Sequence, residues 1–195
     1  MRAWREARLT WSMRLAVFAC DARGVAAVEF ALILPILLLL YLGTIEASSL
    51  ITVDRRINII SGTVGDLVSR WNPDDDEIPL STLTDYFKAS EAIAYPYPTT
   101  ALKQAVSFVQ VASDGSTKVL WSCGYNGGTK RAADSEYASL PDGMNAIARG
   151  GHVVVSETWY PYKPVLGLIY SETFNLYQQA FYIPRFEDPI DGPSC

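Results

Sequence analysis

The chain is short of the residues that chemistry usually needs. It holds one histidine and three cysteines in 195 residues, and only 19% of it is charged. The single histidine, His152, stands at the edge of a valine-rich run with no ligand partner in a shared motif, which fits a structural or solvent-facing side chain better than a metal centre. No Ser-His-acid order and no nucleophile-elbow pattern is legible. Gly127-Gly128-Thr129-Lys130 lacks the spaced Gly-Lys-Ser/Thr arrangement of a phosphate loop and reads as a turn after a strand. The run Asp74-Asp75-Asp76-Glu77 lacks the alternating ligands and central glycine of a calcium loop and reads as solvated. No basic stripe with interleaved aromatics occurs, which sets nucleic acid aside as a partner. These absences point away from an enzyme and leave no cofactor or metal to assign.

What is present is unevenly placed. Residues 1–24 carry Arg2, Arg5, Arg8, Arg14 and Arg23 against Glu6 and Asp21, a net +3; with the whole chain at −5, residues 25–195 carry −8. Next comes Val25 to Leu42, VAAVEFALILPILLLLYL, 18 residues with one charge. The apolar character then fades through residues 43–53, which include Glu46. About 20 apolar residues cross a bilayer as a helix. The arginines on the N-terminal side place residues 1–24 in the cytoplasm, and everything beyond about Val53 outside it. In an oxidising compartment Cys123 and Cys195 can pair, with Cys20 left on the cytoplasmic side; two free or buried thiols are the plainer alternative.

A secretory signal peptide has the same outline, but no small-x-small cleavage site follows the apolar core. Glu29 is harder to place in that reading, since a carboxylate inside an apolar segment costs about 2.5–3.5 kcal/mol even on mild insertion scales. Snorkelling to the cytoplasmic interface would be the structural explanation. The neighbouring residues say more. Arg23-Gly24-Val25-Ala26-Ala27-Val28-Glu29-Phe30 resembles a type IV prepilin cleavage site in its tight-adherence (Tad/Flp) variety. Leu34-Pro35-Ile36-Leu37-Leu38-Leu39-Leu40 and Gly43-Thr44-Ile45-Glu46 are similar to the segment that follows that site in TadE-like proteins. The strong likeness, over residues 23–50, is to a TadE/TadF-like minor pilin, or pseudopilin. A weaker one is carried by Tyr160-Pro161-Tyr162-Lys163-Pro164 and Pro184-Arg185-Phe186.

The resemblance implies cleavage by a prepilin peptidase after Gly24, leaving Val25 as the new N-terminus and Glu29 and Phe30 to serve processing and subunit assembly. A free amine at the membrane face can pair with a neighbouring subunit's Glu29, so that two charges costly in lipid stabilise each other and fix the axial register. The implied partners are the peptidase, other major and minor pilus subunits and the inner-membrane assembly platform. The implied location is a single pass of the inner membrane with a periplasmic C-terminal domain, open to incorporation into an extracellular pilus. Pro35 removes one helical hydrogen bond and is a candidate kink or a tolerated membrane proline.

Beyond the membrane, Ile57, Ile60, Val64, Leu67, Val68 and Trp71 recur at spacings of three and four, predicting one helix from about Val25 to Arg70. Gly62 and Gly65 count against its outer half. Leu80–Ala94 predicts a second helix with Leu83, Phe87 and Ile93 inward. Strands are expected over 105–112 and 118–125 around an Asp114-Gly115 turn, then over 152–160 and 172–182, with a helical turn or two over 141–148. The predicted fold is α+β, a long helix packed on a small antiparallel sheet, divided into a leader (1–24), a membrane part (25–53), an extension (54–71) and a head (72–195). The competing readings are a signal-anchored periplasmic binding or sensor module, a type II secretion pseudopilin, and a periplasmic enzyme.

Overall fold

A computed structural model describes residues 24–75 and 77–195. The leader up to residue 23, including Cys20, lies outside the described residues, as does Asp76 of the acidic run. Helix α1 runs unbroken over Val25–Ser69, through Pro35, and at 45 residues is about 68 Å long at 1.5 Å per residue. Its outer half follows the predicted stripe: Ile57, Ile60, Val64 and Val68 are buried, joined by Val53, and Leu67 and Trp71 are half-buried, while Arg55, Asn58 and Arg70 are exposed. The helix stops where Asn72-Pro73 denies it continuation, and the Arg185 N–H donates to the Ser69 carbonyl at 2.9 Å to occupy one of its last free acceptors.

A 3₁₀ turn at Pro73–Asp75 leads into α2, Leu80–Ala94. Four strands follow: β1 (Lys103–Val111), β2 (Thr117–Tyr125), β3 (His152–Tyr162) and β4 (Phe174–Tyr182), with a short helix α3 (Asp142–Ile147) before β3. The sheet is antiparallel throughout, in the order β2-β1-β3-β4. The β1–β2 hairpin turns where expected, with Gly115 at φ +90°, a backbone conformation that side-chain-bearing residues rarely take. Strand β3 runs two residues past its expected end and contains Pro161. It pairs with β1 only as far as Trp159 opposite Lys103, so Pro161 lies where β3 has β4 alone as neighbour and a missing N–H is tolerated.

Both faces of the sheet are covered. On one, Val64 and Val68 of α1, Leu83 and Phe87 of α2, and Val106, Phe108 and Val154 of the sheet form a core with Ile78 and Ile190. Nearer the start of α1, Val53, Ile57 and Ile60 pack with Ala94, Leu102, Tyr160 and Tyr162. The opposite face is roofed by the β2–β3 connection, where Tyr137 and Ala148 meet Val109, Val119, Val153 and Val155. The sequence argument against the outer half, from Gly62 and Gly65, is resolved by contact: a Cβ on Gly65 would lie 2.7 Å from the Tyr182 ring and 3.3 Å from Ser156. The glycines let the helix lie close against β3 and β4, and Ser61 donates to the Ser156 carbonyl at 2.6 Å across that contact.

Candidate assembly and anchoring site

Among the described residues, nothing packs against the exposed half of α1. Residues 24–41 are exposed without exception, and contact with the head starts at Leu42 and Gly43. Of this helix, an 18-residue apolar window is long enough to cross a membrane and wholly uncovered. Gly24 forms the N-terminal boundary of the helix with open space where a side chain would be, and Val25 and Phe30 are more than half exposed. Among the described residues Glu29 has no hydrogen-bond or ion-pair partner. The sequence-assigned residues Gly24, Val25, Glu29, Phe30 and Pro35 thus lie along one bare stretch of helix.

The second carboxylate of the helix is treated in the opposite way. Glu46 is buried, and its two carboxylate oxygens accept the backbone N–H groups of Leu168, Ile169 and Tyr170 at 2.8, 3.3 and 3.0 Å. These amides belong to the β3–β4 loop, and Ile169 Cδ1 lies 3.0 Å from where a Cβ of Gly43 would be. The Gly43-Thr44-Ile45-Glu46 stretch therefore has a local structural meaning: a glycine that admits the loop and, one turn on, a carboxylate that ties down its backbone. Sequence reasoning used these residues as part of a likeness and did not see the clamp. The loop's ligand groups are main-chain amides, which carry no sequence signal.

Cys123 and Cys195, assigned as a possible pair, form a disulfide with Cα atoms 5.4 Å apart. It fastens the C-terminal tail across β2. The tail is further held by the Trp121 indole N–H donating to Ile190 O at 2.7 Å and by Ile78 N–H donating to Asp191 O at 3.0 Å. Ile190 is thereby seated in the main core beside Val64 and Val68.

His152 stacks on Phe108 with ring centroids 5.1 Å apart, and burial lowers its pKa. Gly127 and Thr129 line an open groove of about 390 Å³ with Lys103, Trp159, Pro161 and Tyr177. The aromatics of the last two strands divide: Tyr160 and Tyr162 are core, Tyr182 packs on the glycine pair of α1, and Trp159 and Tyr177 meet at 5.5 Å on the far face. On that face Glu157, fully buried, accepts from Arg131 Nη2 and the Tyr177 hydroxyl, each at 2.7 Å. The bond to Glu157 raises the Arg131 pKa, and burial, with Glu157 beside it, raises that of Tyr177. This cluster secures the β2–β3 connection to the sheet. Its sequence signal was weak: Glu157 shares the parity of Val153 and Val155 in a strand, a hint of burial without a hint of its partner.

The comparisons with known proteins bear on the helix. A family model described as TadE-like protein matches residues 24–58, which takes in the whole bare stretch, Glu46 and the first turns held by the head. The resemblance read from Gly24, Glu29 and Gly43–Glu46 thus holds over this segment. Neither the search of curated proteins nor that of solved structures gave a match.

Proposed function

We propose that this chain is a TadE-like minor pilin of a tight-adherence pilus, a structural subunit and not a catalyst. The observation that carries the reading is the continuous α1 helix, Val25–Ser69, whose apolar first half is bare of contacts among the described residues and lies within the TadE-like match. In this reading the chain inserts with residues 1–24 in the cytoplasm and a prepilin peptidase cuts after Gly24. Residues 25–42, about 27 Å of helix, fill the hydrocarbon of about 30 Å. The rest of the segment assigned to the membrane by hydropathy, up to Val53, lies at the outer boundary against the head. The new amine of Val25 pairs with Glu29 of a neighbouring subunit, which answers the lack of any partner for Glu29 within the described chain. Pro35, within the helix, allows a bend as subunits pack. The head then faces the periplasm, where it meets other pilus subunits and the assembly platform while the subunit joins, primes or caps the fibre.

N-terminal sequencing of the protein from its native membrane, beside a Gly24→Leu variant, tests this. A start at Val25 that is lost in the variant, together with loss of pili, supports it. An intact Met1 end, or a cut after Leu42, overturns it in favour of a simple anchor.

A further inference from the structure

The β3–β4 loop is unlike the other connections of the head. Between Lys163 and Glu172 it holds no charged residue, and Val165, Leu166, Leu168, Ile169 and Tyr170 are all exposed, Val165 by 84% and Leu168 by 65%. Exposed apolar residues clustered in one loop mark a surface that meets something less polar than water. Where the loop sits identifies what. It is held to Glu46 by three backbone bonds and touches Gly43, and both positions follow directly on the last fully bare residues of α1. Glu46 is four residues beyond Leu42, about 6 Å along the axis. Strand β3 runs down toward this level and β4 away from it, as the packing of Phe174 and Leu176 near Val53 and of Tyr182 on Gly65 shows. The loop is therefore the lowest point of the sheet, and the β1–β2 hairpin lies at its far end.

We propose that residues 165–170 form a second membrane contact, entering the headgroup and upper acyl boundary of the outer leaflet beside α1. Tyr170 and Tyr41 have the amphipathic side chains that belong at that depth, and Lys163 at the loop's base suits anionic headgroups. The Glu46 clamp holds the loop against the helix, so the head is fixed to the membrane at two points and its tilt is set. The inference rests on the reading that residues 25–42 lie in the bilayer.

The test uses the full chain with Cys20→Ser, the disulfide intact, and one environment-sensitive fluorophore at a time on Leu168→Cys, Leu37→Cys or Ser113→Cys. The chains are reconstituted at low density in phosphatidylethanolamine–phosphatidylglycerol vesicles whose lipids carry a nitroxide near the headgroup or deep in the acyl chain. Leu37 should be quenched most by the deep nitroxide, Leu168 most by the shallow one, and Ser113 in the β1–β2 turn by neither. Quenching at Leu37 with none at Leu168 overturns the inference and leaves the membrane reading standing. No quenching at Leu37 overturns both. A Leu168 signal that blue-shifts only as protein density rises, without quenching, gives the loop to a neighbouring subunit and overturns the lipid contact. Val165→Cys repeats the reading if Leu168→Cys does not fold.

Discussion

The two halves of α1 are one unbroken helix made for two different surroundings. Up to Tyr41 every residue is exposed and nearly every one is apolar, so no face is preferred; from Val53 on, burial returns every three or four residues against the sheet. A helix apolar all round has its stabilising contacts outside its own chain, whereas an amphipathic one has them inside. The halves' carboxylates obey the same division. Glu46 has three backbone donors from its own loop, and Glu29 has no partner among the described residues. A carboxylate already saturated is a clamp. One left bare in an apolar stretch is a demand for a partner.

The comparison breaks most visibly at Glu29. Glu29→Gln should abolish pilus assembly in cells and leave the urea unfolding of the full-length protein in detergent unchanged. A loss of head stability would mean that the halves are not independent. Changes in the packed part, the outer half of α1 and the head it holds, should instead lower unfolding stability. Cys195→Ser opens a loop with a sequence separation of 72 and frees the tail that seats Ile190, and should lower unfolding stability by about 4 kcal/mol on the chain-entropy account. Gly65→Val forces a side chain against Tyr182 and Ser156 and should cost about 1–3 kcal/mol. Leu38→Ala, on the bare half, should stay within about 0.5 kcal/mol by the same measurement in detergent. A more local effect is expected of Glu46→Gln: hydrogen exchange at Leu168, Ile169 and Tyr170 should lose protection while the amides of β3 keep theirs.

Those residues also mark what the sequence made legible. Hydrophobic period and length were enough for α1, since its bare half is apolar at every position and its packed half only on a stripe. Turn chemistry found the β1–β2 hairpin, and proline and glycine marked most other boundaries. The strand order was beyond reach, because the pairing of β1 with β3 spans the whole β2–β3 connection and no local pattern encodes it. Gly62 and Gly65 were misleading while propensity alone was considered; they became informative once Tyr182 was seen to pack on them. The Glu46 clamp and the Glu157–Arg131–Tyr177 cluster were hidden for a related reason. Each joins residues far apart in the chain, and in the first the partner is backbone, which no residue type announces.

The smallest expected effect sits at the far end of the head. His152 stacks on Phe108, and burial lowers its pKa from the ordinary 6.5. The folded protein therefore binds a proton at this site less readily than the unfolded chain does. Its contribution to stability is complete above about pH 6.5 and declines as the pH falls from there to the lower folded-state value, where the decline stops. His152→Phe keeps a ring against Phe108 and removes the proton. Urea midpoints taken between pH 7.5 and 5.5, above the range where most carboxylates titrate, should slope downward for the wild type and be flatter for the variant. Parallel slopes would place the acid sensitivity of the head elsewhere.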